Sequence, residues 1–173
     1  MIRGVGQFCS LWRPMETAPI ITGLWDYGWL RHDSVELTPV ISDLLLIEQY
    51  IASHEFCASF LPIVKYETGI HGPFVADSIH AEDFIPLQRA DLEHYLDSIE
   101  LSETPDDDVI ERVKMLHHLG NAFDGGRKCF ILKYDERDKA LFHEWGFVLC
   151  IFREFLFTDS QRGRLERFIV GYD

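Results

Sequence analysis

Residues 147–157 read Phe-Val-Leu-Cys-Ile-Phe-Arg-Glu-Phe-Leu-Phe. A half-exposed strand alternates apolar and polar residues, so a run this continuously apolar asks for cover on both faces. It is far too short to span a bilayer, as is the other long apolar stretch, Leu44–Ile47. The run therefore predicts an internal strand. Cys129–Tyr134 and Leu165–Tyr172, both rich in β-branched and aromatic residues and set off by polar turns, are its expected neighbours in an antiparallel meander.

The remaining elements are predicted largely helical. Thr38 and Pro39 read as an N-cap and first-turn pair, and Val40, Ile41, Leu44, Leu45, Ile47 and Ile51 follow at helical spacing, which predicts a helix over 39–54. Leu92, Tyr95, Leu96 and Ile99 form one stripe of a helix over 90–101. A third helix is expected to start at Thr104-Pro105, to run through Ile110, Val113 and Leu116, and to stop at Gly120. Phe60–Tyr66 reads as a strand ended by a turn at Gly69–Pro73, and the Gly- and Trp-rich first thirty-five residues read as short strands or packed loops. With three helices on one face of an antiparallel sheet of four or more strands, the expected class is α+β. The 173 residues, 47 % of them hydrophobic and 13 % aromatic, suffice for one core and a single domain over 1–173. No apolar leader opens the chain, and Cys9, Cys57, Cys129 and Cys150 lack a C-x-x-C pair, so a soluble cytoplasmic protein with reduced core thiols is expected.

Charge is distributed unevenly. Between Asp77 and Glu111 twelve carboxylates face the single base Arg89, which accounts for most of the formal net charge of −13. Asp106, Asp107 and Asp108 stabilise the first turn of a helix by about 0.3–1 kcal/mol each without any partner, so capping explains them as well as binding does. Capping does not explain the near absence of Lys and Arg along the whole segment, because a merely solvated face mixes both signs. An acidic face repels nucleic acid and anionic membrane and attracts basic proteins.

Catalytic signatures do not complete. His80-Ala81-Glu82 has the H-x-E form of zinc deaminases, but the chain lacks P-C-x-x-C. His117 and His118 are adjacent, so on a helix they diverge by about 100°, unlike an i, i+4 zinc pair. His143-Glu144 before the long strand reads as a turn as readily as a base and its orienter. Asp124-Gly125-Gly126-Arg127-Lys128 lacks phosphate-loop spacing and leads into a strand, so a connecting turn is expected. Arg153-Glu154 is the one charged pair in the apolar run, and a buried structural pair, a bulge or a partner contact all fit it. No cofactor or metal site is expected.

Glu144-Trp145-Gly146, then Phe152-Arg153-Glu154-Phe155-Leu156-Phe157 and a closing strand to Asp173, resemble the immunity proteins of bacterial toxin systems, of the contact-dependent inhibition or polymorphic-toxin type. The resemblance covers residues 144–173, and no functional residues carry over. It implies binding to a cognate toxin, often a basic nuclease, and blockage of its active site. The interface expected for that role is the acidic segment: Asp91, Glu93, Asp97, Glu100, Glu103, Asp106, Asp107 and Asp108, with Phe84 or Tyr95 as aromatic anchor. Two other readings are a nucleic-acid-mimic inhibitor of a host or defence complex, and a small metal-dependent hydrolase drawing on His80, Glu82, His117, His118, His143 and Glu144.

Overall fold

The structure, a computed structural model, describes residues 20–23, 28–57, 69–97, 105–133 and 151–172. The strands are β1 (Ile20–Gly23), β2 (Gly28–Glu36), β3 (Ile70–His71), β4 (Phe74–Val75), β5 (Phe84–Leu87), β6 (Lys128–Leu132), β7 (Ile151–Asp159) and β8 (Arg164–Tyr172). The helices are α1 (Asp43–Ile51), α2 (Arg89–Asp97) and α3 (Pro105–Asp124). Six strands form one antiparallel sheet in the order β1-β2-β8-β7-β6-β5, and β3 and β4 make a separate small hairpin. The α+β class is as expected, and β7 lies between β6 and β8 as its composition requires. The expected strand at 60–66 and residues 147–150 lie outside the described residues.

Strand alternation sorts the core into two layers. Phe152 and Leu156 of β7, with Leu165 and Ile169 of β8, pack against Leu46, Ile47 and Tyr50 of α1 and against Phe56, Phe74 and Ile79. Phe155 and Phe157 of β7, with Phe168 and Val170 of β8, pack on the other face against Leu92 and Leu96 of α2 and Met115, Leu119 and Ala122 of α3. The helices thus cover both faces of the sheet, where the sequence reading placed all three on one. The reason is in β7 and β8 themselves: a bare second face would expose four large side chains, each worth about 1.5–3 kcal/mol on burial.

Two helix boundaries also differ from the sequence reading. The N-cap of α1 is Ser42, whose Oγ accepts from the Leu45 N–H at 3.3 Å. Thr38 and Pro39 belong instead to an extended segment held to the β7–β8 turn, where Leu37 N–H donates to Gly163 O at 2.6 Å and Val40 N–H to Ser160 O at 2.9 Å. The side chain of Gln49 in α1 bonds both backbone groups of Thr38 and holds it in that segment. At the other end α3 runs through Gly120 to Asp124, and the turn comes at Gly126, which has φ +71° and donates to Phe123 O at 3.0 Å. Carrying no side chain, Gly120 only weakens a helix, by roughly 1 kcal/mol, whereas Gly126 takes up the left-handed conformation that stops one.

At its β5 end the sheet is closed chemically. Lys133 N–H donates to Asp83 O at 2.9 Å, so Asp83, Ile85 and Leu87 turn their backbone polar groups towards β6, and Phe84 and Pro86 turn theirs outwards. The Phe84 N–H is taken by Ala81 O and Pro86 has none, so β5 offers an incoming strand no donor at either position.

Gly163 tests how the β7–β8 turn is fixed. It has φ +65°, and a Cβ there would lie 2.7 Å from Pro39 N and 2.8 Å from Thr38 C, backbone atoms that the turn's own hydrogen bonds hold in place. Gly126 has a similar φ with open space around it. Gly126→Ala is expected to cost about 1 kcal/mol in urea unfolding, and Gly163→Ala at least about 2 kcal/mol more, from collision added to strain. Equal costs would show that the extended segment moves aside freely.

Candidate functional site

The largest assembly of titratable groups among the described residues is buried between the sheet and α1. Glu154 sits on β7 between Phe152 and Leu156 and shares their face. Its Oε1 accepts from Tyr50 Oη at 2.7 Å and its Oε2 meets His71 Nε2 at 2.6 Å. His71 Nδ1 lies 2.6 Å from Phe56 O, and its ring stacks on Phe56 with centroids 3.9 Å apart. Carbonyl and carboxylate oxygens only accept, so His71 donates from both nitrogens. Arg167 on β8 extends the cluster: Nη1 donates to Tyr50 Oη and to Glu55 O, both at 2.8 Å, and Nη2 donates to Asp33 Oδ2 at 2.9 Å. Arg31 Nε also donates to that oxygen, at 2.7 Å.

Burial alone pushes the Glu154 carboxyl up, but His71, Arg167 and the Tyr50 hydroxyl outweigh it and hold Glu154 below its ordinary value. Asp33 is likewise raised by burial and brought to a net lower value by Arg31 and Arg167. Desolvation raises Tyr50 well above its usual range, so it stays a neutral donor. His71 and Glu154 are completely buried and all four of their side-chain polar atoms are engaged. Neither of these two side chains is open to solvent, and the cluster joins β2, α1, the 53–57 turn, β3, β7 and β8.

Arg153 and Glu154, suspected as a pair, are not one: strand alternation sends them to opposite faces, and Arg153 Nη1 donates to Phe152 O. The sequence reading missed His71, Tyr50 and Arg167. A charged residue at an inward position of β8, between Leu165 and Ile169, was the available signal for Arg167. His71 carried none, because its partners lie 15 and 83 positions away.

Of the hydrolase candidates, His80, Glu82, His117 and His118 lie among the described residues. His80 is exposed and its backbone N–H is capped by Asp83 Oδ2 at 2.8 Å. His117 and His118 lie on α3 with ring centroids 5.8 Å apart. Burial, then the neighbouring His117 and His32, lower the His118 pKa. His143 and Glu144 lie outside the described residues. Among the described residues no group of three His, Cys, Asp or Glu side chains could hold a metal ion. The Gly125-Gly126 turn borders a cleft of about 300 Å³ with Asp43, Thr158 and Ser160. Its two cations are both paired, Arg127 with Glu166 at 2.5 Å and Lys128 with Asp43 at 2.8 Å, so it is a connection and not a phosphate cradle. Cys129 is buried, which pushes its thiol pKa up, and Cys57 is half-buried, both as free thiols.

Of the expected interface, Asp91 and Glu93 project from the outer side of α2 and are exposed. Asp97 closes α2, and Asp106, Asp107 and Asp108 fall in the first turns of α3, with side chains outside the described residues, as Glu100 and Glu103 are altogether. Of the two expected aromatic anchors, one is buried and one only half-buried. Phe84 is 3 % exposed and packs in the α1-side core. Tyr95 is half-buried, edge-on to Phe155 at 5.8 Å. Phe84 is taken up by the fold because β5 seals the sheet next to β6, whereas Tyr95 keeps part of its surface exposed. Arg89, the single base of the acidic segment, is ion-paired with Asp124. No family model, curated protein or solved structure matches this chain. Among the described residues no helix is long and apolar enough to cross a membrane.

The two sets of titrating groups separate in pH. Because His118 is held below its ordinary 6.5 in the folded chain, the unfolded chain binds its proton first, and stability falls as pH drops through that range. Glu154 and Asp33 lie below 4.5 and 3.8, so their contribution is complete above those values and is lost as pH falls through the lower folded ones. The urea midpoint is expected to fall in two limbs, with His118→Gln flattening the upper limb and Glu154→Gln the lower. Glu154→Gln should also cost about 3–5 kcal/mol at neutral pH, since it leaves His71 and Arg167 undercompensated. A loss under 1 kcal/mol would mean that the cluster is open to water.

Proposed function

We propose that this chain is a binding protein of the immunity or inhibitor type, which neutralises a cognate basic toxin, most simply a nuclease domain, through the acidic outer surface of α2 and α3. One observation carries the reading. The only base of the acidic segment, Arg89, is paired with Asp124, so Asp91 and Glu93 face solvent without that nearby counter-charge. A cationic nucleic-acid channel is complementary to such a surface, because carboxylates can stand where phosphates would. The engagement of the buried His71–Glu154 pair and the scattering of the exposed histidines support binding over catalysis. Asp91 and Glu93 lie on a regular helix, which supports a surface held in shape before a partner arrives.

The test is capture. The protein, immobilised at low salt, is expected to retain one stoichiometric basic protein from a lysate of its source, released by a salt step and identified by mass spectrometry. The Asp91→Lys/Glu93→Lys/Asp97→Lys variant should bind that protein at least about tenfold more weakly at low salt while its thermal midpoint moves by no more than a few degrees. Undiminished affinity in the variant would remove the acidic face from the interface. Capture of a DNA-binding host or defence complex in place of a toxin would favour nucleic-acid mimicry.

A further inference from the structure

Ile110 and Val113, which the sequence reading placed along α3, lie on its outer face. Met115, Leu119 and Ala122 take the inward positions, all at 5 % exposure or less. At about 100° per residue Ile110 and Val113 fall on the far side of the helix, and they are 52 % and 60 % exposed. With His117 and Asn121, both exposed, they form one stripe along the outer surface at i, i+3, i+7 and i+11. Neither helix formation nor the core calls for β-branched residues there, since both are poorer helix formers than Glu, Lys or Gln.

Charge decides what can cover this stripe. From Arg89 to Asp124 ten carboxylates stand against three bases, and one of those bases is the paired Arg89. The exposed Asp91 and Glu93 come from α2, which packs beside α3 on the same face of the sheet. A second copy of the chain would set like charges against each other, and a nucleic acid would be repelled. A basic protein element with an apolar side would be steered by the net acidic charge of this segment and seated on the stripe, the usual division between charges that set on-rate and apolar contacts that set residence.

We propose that the outer face of α3, centred on Ile110 and Val113, is the apolar anchor of a docking surface for a cationic, amphipathic protein element. This rests on reading the acidic surface as a partner site, and it puts the hot spot on aliphatic residues of α3 in place of Phe84 and Tyr95.

Two fluorescent synthetic peptides of equal length and charge test it, one an amphipathic Lys/Leu helix and the other a Lys/Ser peptide. Titrated at low salt against the whole protein, the Lys/Leu peptide is expected to bind about tenfold more tightly. The Ile110→Gln/Val113→Gln variant should abolish that gap and leave Lys/Ser affinity unchanged, with an unaltered circular dichroism spectrum. Equal affinities for the two peptides, or a gap that survives the substitutions, would overturn the anchor and leave the acidic reading standing. Failure of the Lys/Ser peptide to bind, or its indifference to reversal of Asp91, Glu93 and Asp97, would overturn the acidic reading and the anchor with it. A wild-type dimer in sedimentation that the double variant dissociates would assign the stripe to a second copy and overturn the proposal.

Discussion

The fold depends on charges placed inside the sheet. Glu154 and Arg167 stand on the two central strands where apolar side chains would ordinarily pack, and an ion taken out of water loses several kcal/mol of hydration even after relaxation. That loss is offset only where every polar atom finds a partner. Here Tyr50, His71, Asp33 and two backbone carbonyls supply those partners from α1, β3, β2 and the turn after α1. The requirement is directional in a way that apolar packing is not, so it fixes α1 and the small β3–β4 hairpin on the sheet. A shift of either by one residue would strand a buried charge.

The two faces of the sheet consequently do different work. The α1 side holds the polar cluster and is closed around it. The α2–α3 side is held mainly by aromatic and aliphatic contacts, with Phe155, Phe157 and Phe168 packed edge-on to Phe123, Tyr95 and one another, and the buried Glu166 on this face is ion-paired with Arg127. Asp91 and Glu93 add exposed acid to the outer surface of that side. At the sheet's β5 edge, Pro86 and the occupied Phe84 N–H leave no outward donor for strand addition.

Much of the architecture was legible in residue patterns. The apolar density of residues 147–157 called for an internal strand, and β7 is internal because Phe152, Phe155, Leu156 and Phe157 fill both faces. The same evidence argued for helices on both sides, and the one-face arrangement failed for not following it through. Helix ends were less legible. Thr38-Pro39 and Ser42 are both acceptable caps locally, and only the contact with the β7–β8 turn at Gly163 decides between them.

What the sequence by itself determined is the class of the fold, the central place of β7 and the concentration of acid in one segment, because composition, periodicity and charge are properties of neighbouring residues. The partners of Glu154, the burial of Phe84 and the outward face of Ile110 and Val113 were decided only in three dimensions. Each depends on residues far apart in the chain, such as His71 and Glu154, or on which of two apolar stripes of α3 meets the sheet. A helix with two apolar stripes can bury either one, and the space above Phe155 and Phe157 selects Met115 and Leu119.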